Sequence, residues 1–312
     1  MADVKKIATR QAYGEFLAEY GAERKDLIAM SADLSGSNKT DIFEKAFPER
    51  FVEAGISEQD MYAEAAGIAH SGHVVAASTF AMFAAGRAYE IIRNSIAHTH
   101  ANVKICATHG GITVGEDGAS HQTFEDIALM RVLPDMVVLN PADAVSTKIL
   151  LRQEFDQNRP AYIRLGRAGV PVIYSEDAPL EIGKGAKLKD GDDVAIIATG
   201  ILVADALKAA ETLEAEGISA RVIDMHTIKP LDEDIIVKAA SECKGIVTVE
   251  EHSVIGGLGG AVAEVTAQKC PCRIAMVGQH DCFGESGKPA ELLKKYGMTA
   301  DDIVKAAEGL VK

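Results

Sequence analysis

No apolar run in this 312-residue chain approaches the ~18 residues that a membrane-spanning helix needs. The longest, Val194–Ala204, contains the breaker Gly200 and stops at Asp205. Positive charge is also short. The 32 Lys and Arg face 46 Asp and Glu, a formal net charge of −14, which argues against a nucleic-acid surface or an anionic membrane as partner. Cysteine is sparse: Cys106, Cys243, Cys270, Cys272 and Cys282 are odd in number and not framework-spaced. Cys270-Pro271-Cys272 is the one close pair, and it has no second pair at zinc-ligand spacing. Reduced thiols are the simpler account, and the N-terminal stretch has no apolar signal core, so the expected location is cytoplasmic. No short internal repeat is found either. What remains, 47% hydrophobic and 25% charged, is the composition of a soluble globular protein long enough for two domains.

The first half alternates helical and extended signals. Thr9–Tyr20 predicts a helix stopped by Gly21, and Leu27–Ser31 a strand followed by the polar turn Asp33–Ser37. Asp41–Phe47 predicts a helix closed by Pro48, and Phe51–Glu53 a strand before a helix that Ser57 would cap. Further strands are expected at His73–Ser78, Val103–Thr108, Met136–Leu139 and Ala161–Arg164, with helices at Met82–His98, Thr123–Arg131 and Asp143–Gln157 between them. A stretch rich in Pro, Gly and charge then interrupts the pattern. Beyond it the alternation restarts, with strands at Val194–Ala198, Ala220–Asp224, Gly245–Glu250 and Ile274–Val277. The expected fold class is α/β, in two consecutive domains that are each a mostly parallel sheet flanked by helices. The expected bounds are 1–172 and 193–312, with 173–192 as linker.

Ligands of parallel α/β sheets gather beyond the carboxyl ends of the strands. The most unusual loop at such a place is Thr108–Gln122, which carries His109, Glu116, Asp117 and His121 among four glycines. Its length marks it as functional or mobile, and its residue types suit hydrogen bonds to a hydroxylated substrate better than any common metal-ligand spacing. Arg10, Ser37 and Arg167 stand at loop positions as phosphate-type anchors. Phe80 and Phe83, three apart just after a strand, are expected on one side of a helical turn, as core or as a ring-stacking platform. Glu58 lies in the first turn of a helix made almost wholly of small and apolar residues. By position alone it is either an ordinary helix-start acid or a carboxylate held in a dry site. Gly256–Ala261 looks like a dinucleotide fingerprint, but it follows the third strand of its domain and contains no strict G-x-G-x-x-G, so a strand–helix packing turn is the better reading.

RFVEAGISEQ, ASTFAMF, ATHGGITVGEDGASHQ, LPDMVVLNPAD and YIRLGRAGVP occur in the order found in the second half of transketolase, and FGESGKPAELLKKYGMTADDIVKAAEGL resembles that family's C-terminal end. The resemblance runs from Thr9 through nearly the whole chain. It implies a pyrimidine-type thiamine diphosphate-binding domain followed by a transketolase C-terminal domain. It also implies that Glu58 hydrogen-bonds the aminopyrimidine N1′, which favours the imino tautomer that takes the thiazolium proton. A carboxyl that keeps its proton needs a dry site, and the small-residue helix suits that need. Phe80 and Phe83 match the aromatics that stack on the pyrimidine, with Gly86 where the family has a third. Asp33 matches an acid near the thiazolium side. His109, Asp117 and His121 match residues on the sugar hydroxyls, with His109 and His121 also catalytic, and Arg10, Ser37 and Arg167 match the substrate-phosphate site.

The family's diphosphate domain, with its Gly-Asp-Gly and Mg²⁺ ligands, has no counterpart in Asp190-Gly191-Asp192 or Glu116-Asp117-Gly118. The resemblance therefore implies the C-terminal subunit of a split transketolase. Such a subunit would be inert alone, pair with an N-terminal subunit that holds Mg²⁺, and self-associate into a heterotetramer acting on phosphosugars. The alternatives are the beta subunit of a 2-oxoacid dehydrogenase, a deoxyxylulose phosphate synthase-like enzyme, or a non-catalytic regulatory or assembly protein of the same fold.

Overall fold

The computed structural model describes residues 5–312, so the first four residues of the expected 1–172 unit lie outside it. The chain enters as β1 (Lys6–Ala8) and α1 (Thr9–Glu23), followed by β2 (Leu27–Ser31), the short α2 (Ser35–Asn38) and α3 (Asp41–Ala46), and β3 (Phe51–Glu53). Next come α4 (Glu58–His70), β4 (Val74–Phe80), a helical stretch centred on α5 (Tyr89–Ile91), and β5 (Val103–Thr108). Beyond the glycine-rich loop lie α6 (Asp126–Arg131), β6 (Val137–Leu139), α7 (Ala144–Phe155), β7 (Ala161–Leu165) and β8 (Gly169–Pro171). The strands form a parallel sheet in the order β6-β7-β5-β4-β2-β3. β4, β5 and β7 are buried along their whole length, as parallel strands covered on both faces must be. One face carries α1 and α7, where Phe16, Tyr20 and Phe155 pack ring on ring. The other carries α4, whose Ala65, Ala66 and Ala69 let the helix lie close to the sheet.

The second unit is built from β9 (Ala186–Lys189), β10 (Val194–Ala198), α8 (Val203–Ala215), β11 (Ala220–Asp224), β12 (Thr227–Lys229), α9 (Glu233–Glu242), β13 (Ile246–Ser253), α10 (Leu258–Lys269), β14 (Ile274–Gln279), α11 (Pro289–Lys295) and α12 (Ala300–Val311). Its sheet order is β14-β13-β10-β11-β9, parallel except for β9. The two units are not separate cores. Ile127, Met130, Val138 and Tyr162 of the first cluster with Ile197, Ile223, Met225 and Leu258 of the second. β12 crosses over to pair antiparallel with β6, adding a seventh strand to the first sheet.

Several local expectations change. Gly21 does not end α1, which runs on to Glu23. A Cβ there would stand 2.5 Å from the Phe43 ring, so Gly21 is a close-packing residue rather than a stop. Ser57 precedes α4 but makes no side-chain cap. β4 extends to Phe80, so Phe80 ends a strand and does not share a helical turn with Phe83. The helix expected over Met82–His98 contains two π-helical turns, Phe83–Arg87 and Ile92–Ala97. β9 lies inside the 173–192 stretch as an antiparallel edge of the second sheet.

Candidate active site

The residues singled out by sequence lie around the carboxyl ends of β2, β3, β4, β5 and β7, with Arg10 joining them from the start of α1. The turn after β2 is pinned by Asn38, buried, whose amide donates to Ser31 Oγ at 3.2 Å and to the Ser78 carbonyl at 3.2 Å. That anchor holds α2 so that the Ser37 carbonyl accepts from Arg10 Nη1 at 2.6 Å. Asp33 sits in the same turn at a positive φ of 57°, exposed, with its N–H on Glu53 Oε1 at 2.7 Å.

His109 joins two parts of the site. Its ring lies 3.8 Å from the Phe80 ring, nearly parallel, and its Nε2 is 3.2 Å from Arg10 Nη1. A guanidinium only donates, so Nε2 accepts; the ring proton is therefore on Nδ1 and points at Thr108 Oγ1, 2.9 Å away. Burial, with Arg10 and Arg167 close by, pushes His109 down to about 3, which keeps the imidazole neutral. His109 also has a positive φ, 60°, a conformation that costs a side-chain-bearing residue energy and is held here by its contacts. Arg10 is itself lowered, by burial and then by Arg167, as expected of two cations sharing one corner. Arg167 donates to the Val114 carbonyl and to Glu116 Oε2, the latter at 3.1 Å.

Phe83 lies 5.8 Å from Phe80 with the rings 14° apart, and His121 meets the Phe83 ring edge-on at 5.4 Å. The contacts thus run from the Ser37 carbonyl through Arg10 and His109 to Phe80, Phe83 and His121, with Arg167 close to Arg10 and His109. Asp117 is exposed on the same loop, and Gly86 is exposed within the π-turn after Phe83. Glu58, at the first position of α4, is only 4% exposed. Its Oε2 finds no hydrogen-bond donor, and the nearest cation is Arg87, with Nε 3.8 Å away and its side chain 60% exposed. An acceptor buried without a donor costs free energy unless a ligand supplies one.

Sequence reasoning missed Arg87, Asn38 and Glu53, each an ordinary polar residue until the fold brings it to the site. It also missed a buried ionic layer behind the loop. There Arg164 donates to Asp126 Oδ2 at 2.7 Å and to the Glu251 carbonyl at 2.9 Å, and Tyr162 donates to Asp126 at 2.8 Å. Burial pushes Glu250 and Glu251 up to about 7 and His252 down to about 4. Glu250 also settles the glycine-rich turn before α10, because its carboxylate accepts from the amides of Leu258 and Gly259, both at 2.7 Å. A protein carboxylate already occupies that helix N-terminus, so the turn holds no dinucleotide phosphate.

Residues 5–172 match the family model of the transketolase pyrimidine binding domain, and 183–303 that of the transketolase C-terminal domain. A Methanocaldococcus jannaschii protein assigned provisionally as a transketolase C-terminal section is 52% identical over 299 residues, spanning 95% of this chain and 94% of that one. One of the apulose-4-phosphate transketolase subunits of Phocaeicola vulgatus is 39% identical over 307 residues, 98% of each chain. A solved split-gene transketolase, described as an inactive β4 tetramer, superposes with a TM-score of 0.92 at 53% identity over 98% of both chains. No helix among the described residues is long and apolar enough to cross a membrane. With both domains matched in order and the strand-end cluster assembled on the first of them, the chain belongs to the transketolase family.

Proposed function

We propose that this chain is the C-terminal subunit of a two-chain transketolase that moves a two-carbon ketol unit from a ketose phosphate to an aldose phosphate. The family implies dependence on thiamine diphosphate, and the observation that carries the reading is Glu58. Its buried Oε2, unpartnered in the protein, fits an aminopyrimidine nitrogen with one proton shared between them, and the stacked Phe80 and Phe83 fit the flat face of the same ring. Glu58, Phe80 and Phe83 would hold the pyrimidine half, with Asp33 towards the thiazolium side. When bound, the cofactor supplies the electron sink for carbon–carbon cleavage.

This chain's own residues bind and orient the sugar. Arg10 and Arg167, with Ser37 beside them, form the cationic corner for the substrate phosphate. His109, neutral, stands between that corner and the aromatic platform; its Nε2, which holds Arg10 here, would accept from a sugar hydroxyl once Arg10 turns to the substrate phosphate. His121 and Asp117 contact hydroxyls from the other side of the loop. The diphosphate and Mg²⁺ belong to an N-terminal partner, and two such pairs associate as a heterotetramer in the cytoplasm. The near end-to-end match to a transketolase C-terminal section and to a split-gene transketolase supports that division.

The experiment compares donors. The reconstituted pair, given thiamine diphosphate and Mg²⁺, should transfer ketol from xylulose 5-phosphate to ribose 5-phosphate and leave pyruvate untouched. Pyruvate decarboxylation instead would assign it to the 2-oxoacid dehydrogenase beta subunits. A pair whose effect is unchanged by Glu58→Ala would make the chain a regulatory or assembly protein.

A further inference from the structure

The C-terminal unit contributes no side chain to the cluster of rings and cations, yet it grips the loop that carries half of it. Thr113, between His109 and His121, donates its backbone N–H to Glu251 Oε1 at 2.6 Å. Glu251 lies on β13 and is 3% exposed. Gly111 packs directly on that carboxylate: its φ is +84°, and a Cβ there would stand 2.3 Å from Glu251 Cδ. The N–H of Gly111 closes on the Thr123 carbonyl at 3.1 Å, so the ends of the loop are drawn together over Glu251. Arg164 lies beneath, holding the Glu251 carbonyl and paired to Asp126. A second tie runs from Gln122, whose amide donates to Ile112 and Gly115 carbonyls within the loop and to the Glu285 carbonyl at 3.0 Å.

A carboxylate is an expensive filler for such a place. Burial opposes its ionised form, and an apolar side chain would fill the same volume at less cost. What an apolar side chain cannot do is accept from Thr113, and a buried amide without an acceptor would leave the loop free to move. We propose that Glu251 is a positioning residue for ketol transfer: from outside the site it fixes the backbone of the His109–His121 loop, and so the sugar-binding geometry, without touching substrate. The proposal rests on the reading of that loop as the sugar site, and its structural half can be tested apart from it.

The experiment uses Glu251→Ala and Glu251→Gln. In the full chain alone, hydrogen–deuterium exchange of peptides covering 109–122 should rise in Glu251→Ala, while those covering β5 and the start of β13 keep wild-type protection. Glu251→Gln keeps an acceptor for Thr113 and should restore the loop. In the reconstituted pair, Glu251→Ala should raise the KM for the ketose phosphate by about tenfold, as expected for one lost buried hydrogen bond. Its affinity for thiamine diphosphate should stay within about twofold, and Glu251→Gln should recover most of the KM. Unchanged loop exchange in Glu251→Ala overturns the clamp. A loop released with no selective change in KM, or a matching fall in cofactor affinity, reduces Glu251 to a general structural residue and overturns the positioning role. Should the wild-type pair transfer no ketol at all, the functional reading fails while the exchange result still decides the clamp.

Discussion

Replacing Glu58 by glutamine should leave the isolated chain no more than about 1 kcal/mol less stable than the wild type, and up to about 3 kcal/mol more stable. Glu58 is 4% exposed and its Oε2 has no donor, a defect that costs ~1–3 kcal/mol in a folded protein. Two effects offset part of it. Arg87, 3.8 Å away and mostly in solvent, contributes at most ~1 kcal/mol, and the positive end of α4 contributes ~0.3–1 kcal/mol to a first-turn carboxylate. Glutamine keeps the shape and length, removes the charge, and brings donors of its own. Functional sites commonly carry such a stability cost, whereas a helix-start acid kept for the fold does not. The assay is urea denaturation of the chain alone, followed by far-ultraviolet circular dichroism, beside ketol transfer by the reconstituted pair. Lost transfer with stability inside that range is the expected result. A loss of more than about 1 kcal/mol would refute the reasoning and return Glu58 to an ordinary structural carboxylate.

Arg164→Met should cost about 3–5 kcal/mol in the same denaturation assay, because it strands Asp126 in the interior with only Tyr162 donating to it. Arg164 holds Asp126 and Glu251 down, so without it both carboxyls take up protons more readily in the folded state; the variant should lose further stability as pH rises from 5 to 8, and a pH-independent loss would contradict this. Asp224 provides a cleaner sign. Burial raises its carboxyl to about 8 from an unfolded value near 4, so the folded state retains a proton that the unfolded state has released, and wild-type stability falls as pH rises through that window. The melting temperature of Asp224→Asn should therefore draw ahead of the wild type between pH 4 and 8 and then level off. Burial and the neighbouring guanidiniums push His109 down to about 3, so the kcat/KM profile of the pair, which reports the free enzyme, should show no ionisation of this residue above pH 5.

The central strands were legible because they are short apolar runs between turn residues, as in Leu27–Ser31 and Val194–Ala198. β9 and β12 were not, since each is a short antiparallel edge strand whose pairing comes from a partner far away in sequence. Gly21 misled because a close-packing glycine and a helix stop look alike until Phe43 arrives beside it. At the site, it was the resemblance to transketolase that named roles for Glu58, the two phenylalanines, the loop histidines and the arginines; by residue type and position alone Glu58 reads equally as a helix-start acid and the phenylalanines as core. The spacing of Phe80 and Phe83 suggested one helical turn, whereas they face each other from a strand end and a π-turn. Glu251 escaped because β13 reads as ending at Glu250, and nothing in VEEHS announces that the next carboxylate reaches across to Thr113.

Centrally, this chain is held to carry half of a thiamine diphosphate site that a second chain completes. The most direct test is a titration of the wild-type chain with a candidate N-terminal partner, in thiamine diphosphate and Mg²⁺, following ketol transfer from xylulose 5-phosphate to ribose 5-phosphate. The expected result is no turnover by the chain alone, turnover that rises with added partner and saturates at equimolar ratio, and none at any ratio for Glu58→Ala. Turnover by the chain alone, or undiminished turnover with Glu58→Ala, would contradict the claim.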